Sequence, residues 1–122
     1  MAEILRHLLR KNSKRDIELM RNSRELIQNM RSALDAKDHG RVEQAVSTFD
    51  SAFRKDPAIV AGNEQSLHLA ASSYGFLENK KMALEYVRLA DWNGYADFNE
   101  IWNDEHMELL RDNPDFKLMF GK

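Results

Sequence analysis

Hydrophobic residues recur along this chain at intervals of three and four, the spacing that places them on one face of an α-helix. The clearest stripe predicts a helix that Pro57 ends, because a proline disfavours helical geometry in the residue before it. No segment alternates apolar and polar residues between turn signals, so no β-strand is predicted. The pattern therefore predicts an all-α fold. The clearest stripe consists of Val42, Ala45, Val46, Phe49, Ala52 and Phe53.

Similar stripes predict helices on both sides of this one. A short apolar face within residues 2–11 precedes Ser13-Lys14-Arg15-Asp16, which has the form of a capping box and predicts a new helix start. That helix is expected to extend to about Lys37, and Asn22-Ser23 leaves open whether residues 14–37 form one helix or two. Further helices are predicted after Asn63, from Met82 to Ala90, near 98–111 and near 114–119.

Turn and cap residues separate the predicted helices. Asp38-His39-Gly40 predicts a turn in which Gly40 takes the left-handed conformation that commonly closes a helix. Glu78-Asn79-Lys80 predicts the next turn. Asp97 and Asn113 are predicted N-caps, and Pro114 suits a first helical position.

An internal repeat relates two of the helix pairs. The two copies match at Ala45 and Ala83, at Phe49 and Val87, and at Ala52 and Ala90, an offset of 38 residues. Small residues at such positions let neighbouring helices approach closely, while the large ones fill the gaps between them. The first copy shows the pattern Gly40, Ala45, Phe49, Ala52, Pro57, and the second shows Leu67, Ala70, Ala71, Tyr74, Ala83, Val87, Ala90.

This pattern resembles the tetratricopeptide repeat (TPR) family over about residues 26–120. The standard unit has about 34 residues, so the offset indicates about four inserted residues, which we place at Ala58–Gly62. The resemblance implies antiparallel helix pairs that form a short right-handed solenoid within one domain, 1–122. Its expected parts are an N-terminal helical cap (1–24), a first repeat (26–59), a second repeat (64–96) and C-terminal capping helices (97–122).

In TPR proteins the first helix of each unit lines a concave groove that holds a peptide or a helix of a partner. The resemblance therefore implies a non-catalytic adaptor or scaffold, with Met30 and Phe76 as apolar contacts. The N-terminal helix filling the groove is the alternative. No chaperone-tail binding is expected, because Met30, Leu34, Gln65 and Leu69 stand at several of the positions where some members carry lysine or asparagine. The implied lining residues are Ile27, Met30, Leu34, Lys37, Gln65, His68, Ser72 and Phe76.

Composition and charge exclude several classes and add a second functional hypothesis. The 122 residues contain no cysteine, which excludes disulfide scaffolds, thiol nucleophiles and cysteine-ligated metal sites. The net charge of −2 does not favour a nucleic-acid partner. Residues 1–24 carry a net +4, however, and residues 91–122 carry a net −5. Oppositely charged ends favour a homo-oligomer that stacks head to tail, so a self-assembling structural protein is the alternative function.

Neither a catalytic nor a metal-binding motif is present. The four histidines have no metal-ligand spacing, the five glycines stand singly, and no G-x-S-x-G elbow occurs. Asp104 is interpreted as a helix cap followed by solvated side chains that include His106. We therefore expect no enzyme activity, no cofactor and no metal ion.

Most aromatic residues are predicted to pack in the core. Two tryptophans near helix ends, Trp92 and Trp102, have two interpretations: they cover the edge of the core, or they make secondary contacts with a partner. The predicted core aromatics are Phe49, Phe53, Tyr74 and Tyr86.

The chain lacks the run of about 18 apolar residues that a membrane span needs. Its N-terminus also lacks the apolar centre of a secretory peptide, so a cytoplasmic location is expected. Residues 2–11 have a basic face opposite an apolar one, and two roles remain open for them: a cap on the domain, or contact with an anionic membrane surface.

Overall fold

The computed structural model describes residues 21–95 and 97–121, apart from the side chain of Phe98. Within these ranges the chain is helical and contains no strand, as the sequence predicts. The predicted N-terminal face at 2–11 and the capping box at 13–16 lie outside the described residues. The elements are α1 (which includes 21–35), α2 (His39–Lys55), a 3-10 helix (Pro57–Val60), α3 (Gln65–Phe76), α4 (Lys80–Trp92), α5 (Phe98–Asn103), a second 3-10 helix (Glu105–Leu110) and α6 (Pro114–Met119).

The α1–α2 turn differs from its prediction. Residues 21–35 are continuously helical, so Asn22-Ser23 does not break α1. The left-handed residue after α1 is Lys37 (φ 52°), and the N–H of Asp38 donates to the carbonyl of Ala33 at 3.4 Å, which closes the helix. The prediction for Gly40 is therefore wrong. Asp38 accepts a hydrogen bond from the N–H of Arg41, so α2 begins at His39 and Gly40 lies inside its first turn.

The predicted stripe of α2 faces the core. Val42, Val46, Phe49 and Phe53 are buried, and the helix ends at Lys55 before Pro57. Of the segment predicted as an insertion, residues 58–60 belong to the first 3-10 helix, where Ile59 and Val60 are buried, and residues 61–62 follow it as a turn. These side chains add apolar area under the α2–α3 connection.

Helix α3 lies at the centre of the described fold. It packs against α2, against α4 and against the second 3-10 helix, which leaves most of its side chains buried. The core aromatics are placed as predicted, with the ring centroid of Tyr86 5.7 Å from Tyr74, 6.1 Å from Phe53 and 6.2 Å from Phe49. The rings therefore join α2, α3 and α4 in one apolar cluster.

A polar network joins α2 to α4 beside this cluster. The Tyr86 hydroxyl donates to Asp50 Oδ1 at 2.6 Å, and Arg54 Nε donates to the same oxygen at 2.9 Å. Arg54 Nη2 also donates to Glu85 Oε1 on α4 at 2.8 Å. Burial and the hydrogen bond to Asp50 both raise the pKa of Tyr86, so its hydroxyl stays protonated as a donor.

The C-terminal segment is organised by caps and by a second aromatic cluster. The predicted caps are confirmed, because Asp97 accepts from the N–H of Glu100 and Asn113 accepts from the N–H groups of Asp115 and Phe116. Phe116 is fully buried and stacks on Trp102 with ring centroids 5.4 Å apart. These contacts hold α5 and α6 together.

The second 3-10 helix approaches α3 at Gly75. A Cβ atom built on Gly75 would collide with the backbone carbonyl of His106 and would lie 3.0 Å from the Met107 side chain. Only glycine allows the two backbones this separation. Gly75 therefore sets the distance between the C-terminal segment and α3.

Replacing Tyr86 with phenylalanine should lower the free energy of unfolding by about 1.5–3 kcal/mol, because the charged Asp50 loses a donor inside the structure. Urea unfolding measures this change. Tyr74→Phe is the matched control, since the Tyr74 ring is also buried and no hydrogen bond of its hydroxyl occurs among the described contacts. Equal losses in the two variants would contradict the role assigned to the Asp50 contact.

Gly75→Ala should destabilise the protein by about 1–3 kcal/mol, because its methyl group meets backbone that must shift. Gly40→Ala is the control, since its methyl would meet only Asp38 Oδ1 at 3.8 Å, an ordinary contact. Within a helix that substitution should stabilise by about 0.5–1 kcal/mol. The two changes are thus expected to have opposite signs in urea unfolding, and a neutral Gly75→Ala would refute the close approach.

Candidate functional site

The predicted groove residues fall into a buried and an accessible set. On α1, Ile27 and Leu34 are half-buried, and Met30 is fully buried in the core cluster. Met30 therefore acts as a packing residue, and its side chain offers no free surface to a partner. Lys37, just beyond α1, is exposed, as is Gln65 at the start of α3. The remaining predicted residues on α3 comprise the half-buried His68 and Phe76 and the buried Ser72.

One cavity joins residues of α1 to the start of α3. Its volume is about 440 Å³, and it brings together Ile27 and Gln65, two residues of the predicted lining. We call this the α1–α3 cavity. The α1 wall is formed by Arg24, Ile27, Gln28 and Arg31, and the opposite wall by residues 61–63 and Gln65.

The α1–α3 cavity is positively charged. Arg24 and Arg31 are exposed, and neither forms an ion pair within the described parts of the chain. No aspartate or glutamate from residues 21–95 or 97–121 lines the cavity. Sequence reasoning missed these two arginines, although positions 24, 27, 28 and 31 follow the spacing of a single helical face.

A second cluster joins α3 to the C-terminal segment. His68 Nε2 lies 2.8 Å from Asp104 Oδ2, and the Ser72 hydroxyl donates a short hydrogen bond to the same oxygen. Asp104 Oδ1 accepts from the N–H of His106 at 2.9 Å, so Asp104 is the predicted cap. The side chains of His68, Asp104 and His106 are only 12%, 14% and 18% exposed, so His106 is not the solvated neighbour that the sequence predicts, whereas Glu105, at 74%, is. The packing of the 3-10 helix on α3 encloses the other three side chains.

The environment of Asp104 favours its charged form. Burial alone would raise the pKa of this carboxyl group, but hydrogen bonds from His68, Ser72 and the N–H of His106 outweigh burial and lower the pKa to about 2. The carboxylate is therefore ionised over the whole neutral range, and it links two segments that lie far apart in the sequence.

Serine, histidine and aspartate meet here without forming the arrangement that nucleophilic catalysis requires. A catalytic serine donates to an imidazole, which the aspartate orients in turn. Ser72 instead donates directly to Asp104, on the oxygen that His68 also contacts. Both side chains are thus partners of one carboxylate, and the geometry favours a structural role.

Aromatic contacts surround this cluster. The His68 ring packs on Tyr95 with centroids 5.8 Å apart. The Phe76 ring lies 6.3 Å from His39 and 5.8 Å from His106. Phe76, a predicted partner contact, is therefore already in contact with rings from α2 and from the C-terminal segment.

The two tryptophans have different environments. Trp102 is half-buried and packs on Phe116 and Phe120, in agreement with the packing interpretation. Trp92 is 89% exposed at the end of α4, so it does not cover the core edge. The only other large hydrophobic side chain with comparable exposure among the described residues is Leu118, at 73%.

Comparison with models of known families, with curated proteins and with solved structures gave no match. Among residues 21–95 and 97–121, no three histidine, aspartate or glutamate side chains are placed to hold a metal ion. None of the described helices combines the length and the apolar character needed to cross a membrane.

Asp104→Asn tests the second cluster, because asparagine keeps the helix cap and loses the charge. The pKa of Asp104 in the folded protein is about 2, below its ordinary value of 3.8, so the charge contributes stability above about pH 4 that is lost as pH falls through 2. Near pH 6, the free energy of unfolding of the variant should be lower than that of the unsubstituted protein by about 1–2 kcal/mol, a range that allows for partial solvent screening. This difference should shrink in acid.

Urea unfolding at several pH values measures this effect. Asp97→Asn is the control, since Asp97 also caps a helix but contacts no imidazole or hydroxyl of another helix among the described hydrogen bonds. A difference for Asp104→Asn that stays constant down to about pH 2 would contradict the assigned electrostatic role.

Proposed function

We propose that this chain is a non-catalytic protein-interaction module, whose groove binds a peptide or a helix from a partner protein. The carrying observation is the α1–α3 cavity, which unites Ile27 and Gln65 from separate helices, as a groove lined by successive first helices requires. Its walls combine an apolar side chain with amide and guanidinium groups. Such a mixture is suited to recognising a polypeptide segment.

The proposed architecture is a short TPR-like solenoid. Helices α3 and α4 pack on each other across a three-residue turn, and α2 follows α1 after a similarly short turn. The repeat positions Ala83 and Ala90 are fully buried, and so are Phe49 and Val87. Ala45 and Ala52 pack against the core cluster, so all three matched pairs contribute to helix packing.

The proposed groove has one part that the chain itself engages and one open part. The engaged part contains His68 and Ser72, whose side chains contact Asp104, and a cavity of about 430 Å³ lies beside them. The open part is the α1–α3 cavity, where Arg24, Arg31 and Gln65 are exposed. Partner binding is accordingly assigned to the open part.

Self-assembly is the second candidate function, and exposed residues near the acidic C-terminal end favour it. Trp92 and Leu118 are largely exposed there, and Arg88 on α4 contacts Asp115 on α6 at 3.1 Å, which brings these helices together. Large exposed apolar groups are frequent in interfaces. Solution mass that grows with protein concentration and falls at high salt would support assembly over the adaptor function.

An unbiased display library of peptides tests the adaptor function without assuming any ligand charge. Enriched peptides should bind the purified protein, and their chemical-shift footprint should include the amides of Ile27, Gln28 and Gln65. The smaller cavity of about 220 Å³ between α1 and α2, which Gln44 and Thr48 line, is the internal control surface. The adaptor proposal fails if no peptide is enriched over an unrelated folded protein, or if the footprint maps to that control surface.

A further inference from the structure

We infer that the α1–α3 cavity recognises an acidic helix, with two carboxylate side chains two helical turns apart and an apolar side chain between them. This inference rests on the proposed function and specifies its ligand. The cations concerned are Arg24 and Arg31, which differ from the lining positions that the sequence resemblance compares with chaperone-tail clamps.

Charge complementarity gives the first argument. Within the part of the chain that the structure describes, Arg24 and Arg31 have no carboxylate partner, and no acidic residue lines the cavity beside them. The neighbouring Glu64 is not among the lining residues, and its Oε1 accepts from the N–H of Gly62 at 3.2 Å instead of contacting either arginine. Guanidinium groups bind carboxylates through paired hydrogen bonds, so an acidic side chain is the natural complement of each arginine.

The spacing of the cations gives the second argument. Arg24 and Arg31 lie on one face of α1 at an axial separation of about 10 Å, with Ile27 between them. A partner helix alongside α1 presents acidic residues at i and i+7 with the same separation, and an apolar residue at i+3 or i+4 then meets Ile27. An extended peptide presents same-face residues at about 7 Å or 13 Å, which fits this spacing less well.

The chain's own N-terminal sequence is a poor complement to the cavity. Residues 1–20 contain five lysines or arginines and three acidic residues, so their net charge has the same sign as the cavity. Repulsion between like charges disfavours that segment as the occupant. We therefore assign the α1–α3 cavity to an acidic helical segment of another protein.

Three fluorescent peptides of about 18 residues, built on one helix-favouring background, provide the test. The acidic peptide carries glutamate at i and i+7 and leucine at i+4. The amide peptide replaces both glutamates with glutamine, and the basic peptide replaces them with lysine. Fluorescence anisotropy of each peptide with the full chain, at low and at high salt, gives the dissociation constants.

The acidic peptide should bind about fivefold or more tightly than the amide peptide, and salt should reduce that advantage. The double variant Arg24→Glu, Arg31→Glu should lose this preference and bind the basic peptide instead. The double variant Lys80→Glu, Lys81→Glu is the matched control, because it changes the net charge by the same amount at two exposed cations of α4 outside the cavity, and it should leave the preference unchanged. Circular dichroism checks folding, and Arg31→Gln serves in place of the double variant if the latter unfolds.

Several outcomes would overturn the inference. One is that the chain binds the acidic and the amide peptide with equal affinity, and another is that the arginine variants keep the preference for the acidic peptide. A third is that the chain binds a single-stranded oligonucleotide more tightly than the acidic peptide. Self-association that Arg24→Glu, Arg31→Glu abolishes and the acidic peptide cannot compete would make a second copy the occupant. If the display library yields groove-binding peptides that lack acidic residues, the adaptor function stands and this inference alone fails.

Discussion

The close approach of the second 3-10 helix to α3 is the constraint on which the arrangement of the site depends. It requires a residue without a side chain at Gly75, where the carbonyl of His106 occupies the space of a Cβ atom. The approach brings Asp104 within hydrogen-bond distance of His68 and Ser72, and His106 against Phe76. Packing and electrostatics therefore reinforce each other, because the buried carboxylate gains its donors only when the backbones are close.

On its other sides, α3 is held by apolar packing, with a polar network beside it. Tyr86, Asp50 and Arg54 connect α2 to α4 next to the aromatic cluster, and their hydrogen bonds satisfy polar groups that packing partly removes from water. The central helix is thus fixed between two interfaces of different chemistry. The first is mainly aromatic, and the second depends on one ionised aspartate.

This arrangement explains why the proposed groove has two unlike parts. Around His68 and Ser72, the chain uses its own C-terminal segment as the partner of the groove-facing side chains. Around Arg24 and Arg31, cations and an open volume remain. A ligand in this cavity would desolvate the exposed guanidinium groups, and a desolvated charge without a partner is costly, which is why the proposed ligand carries its own carboxylates.

The sequence by itself determined the helical class, the core stripe of α2 from Val42 to Phe53, and the caps at Asp97 and Asn113. These features depend on residues three or four apart, whose geometry is the same in any helix. The sequence assigns the left-handed position after α1 to Gly40, but Asp38 caps α2 through the N–H of Arg41, so α2 already begins at His39 and the left-handed residue is Lys37.

Only the tertiary structure decided which residues meet across large sequence distances. His68 and Asp104 are 36 positions apart, and no local pattern relates them. Of the predicted groove, the structure brings Ile27 and Gln65 to one cavity, buries Met30 and adds the two arginines. Which residues meet is set by how packed helices rotate and shift relative to one another. That rotation and shift depend on side-chain volumes over a whole interface, as the close approach at Gly75 illustrates, and not on the residue spacing within one helix.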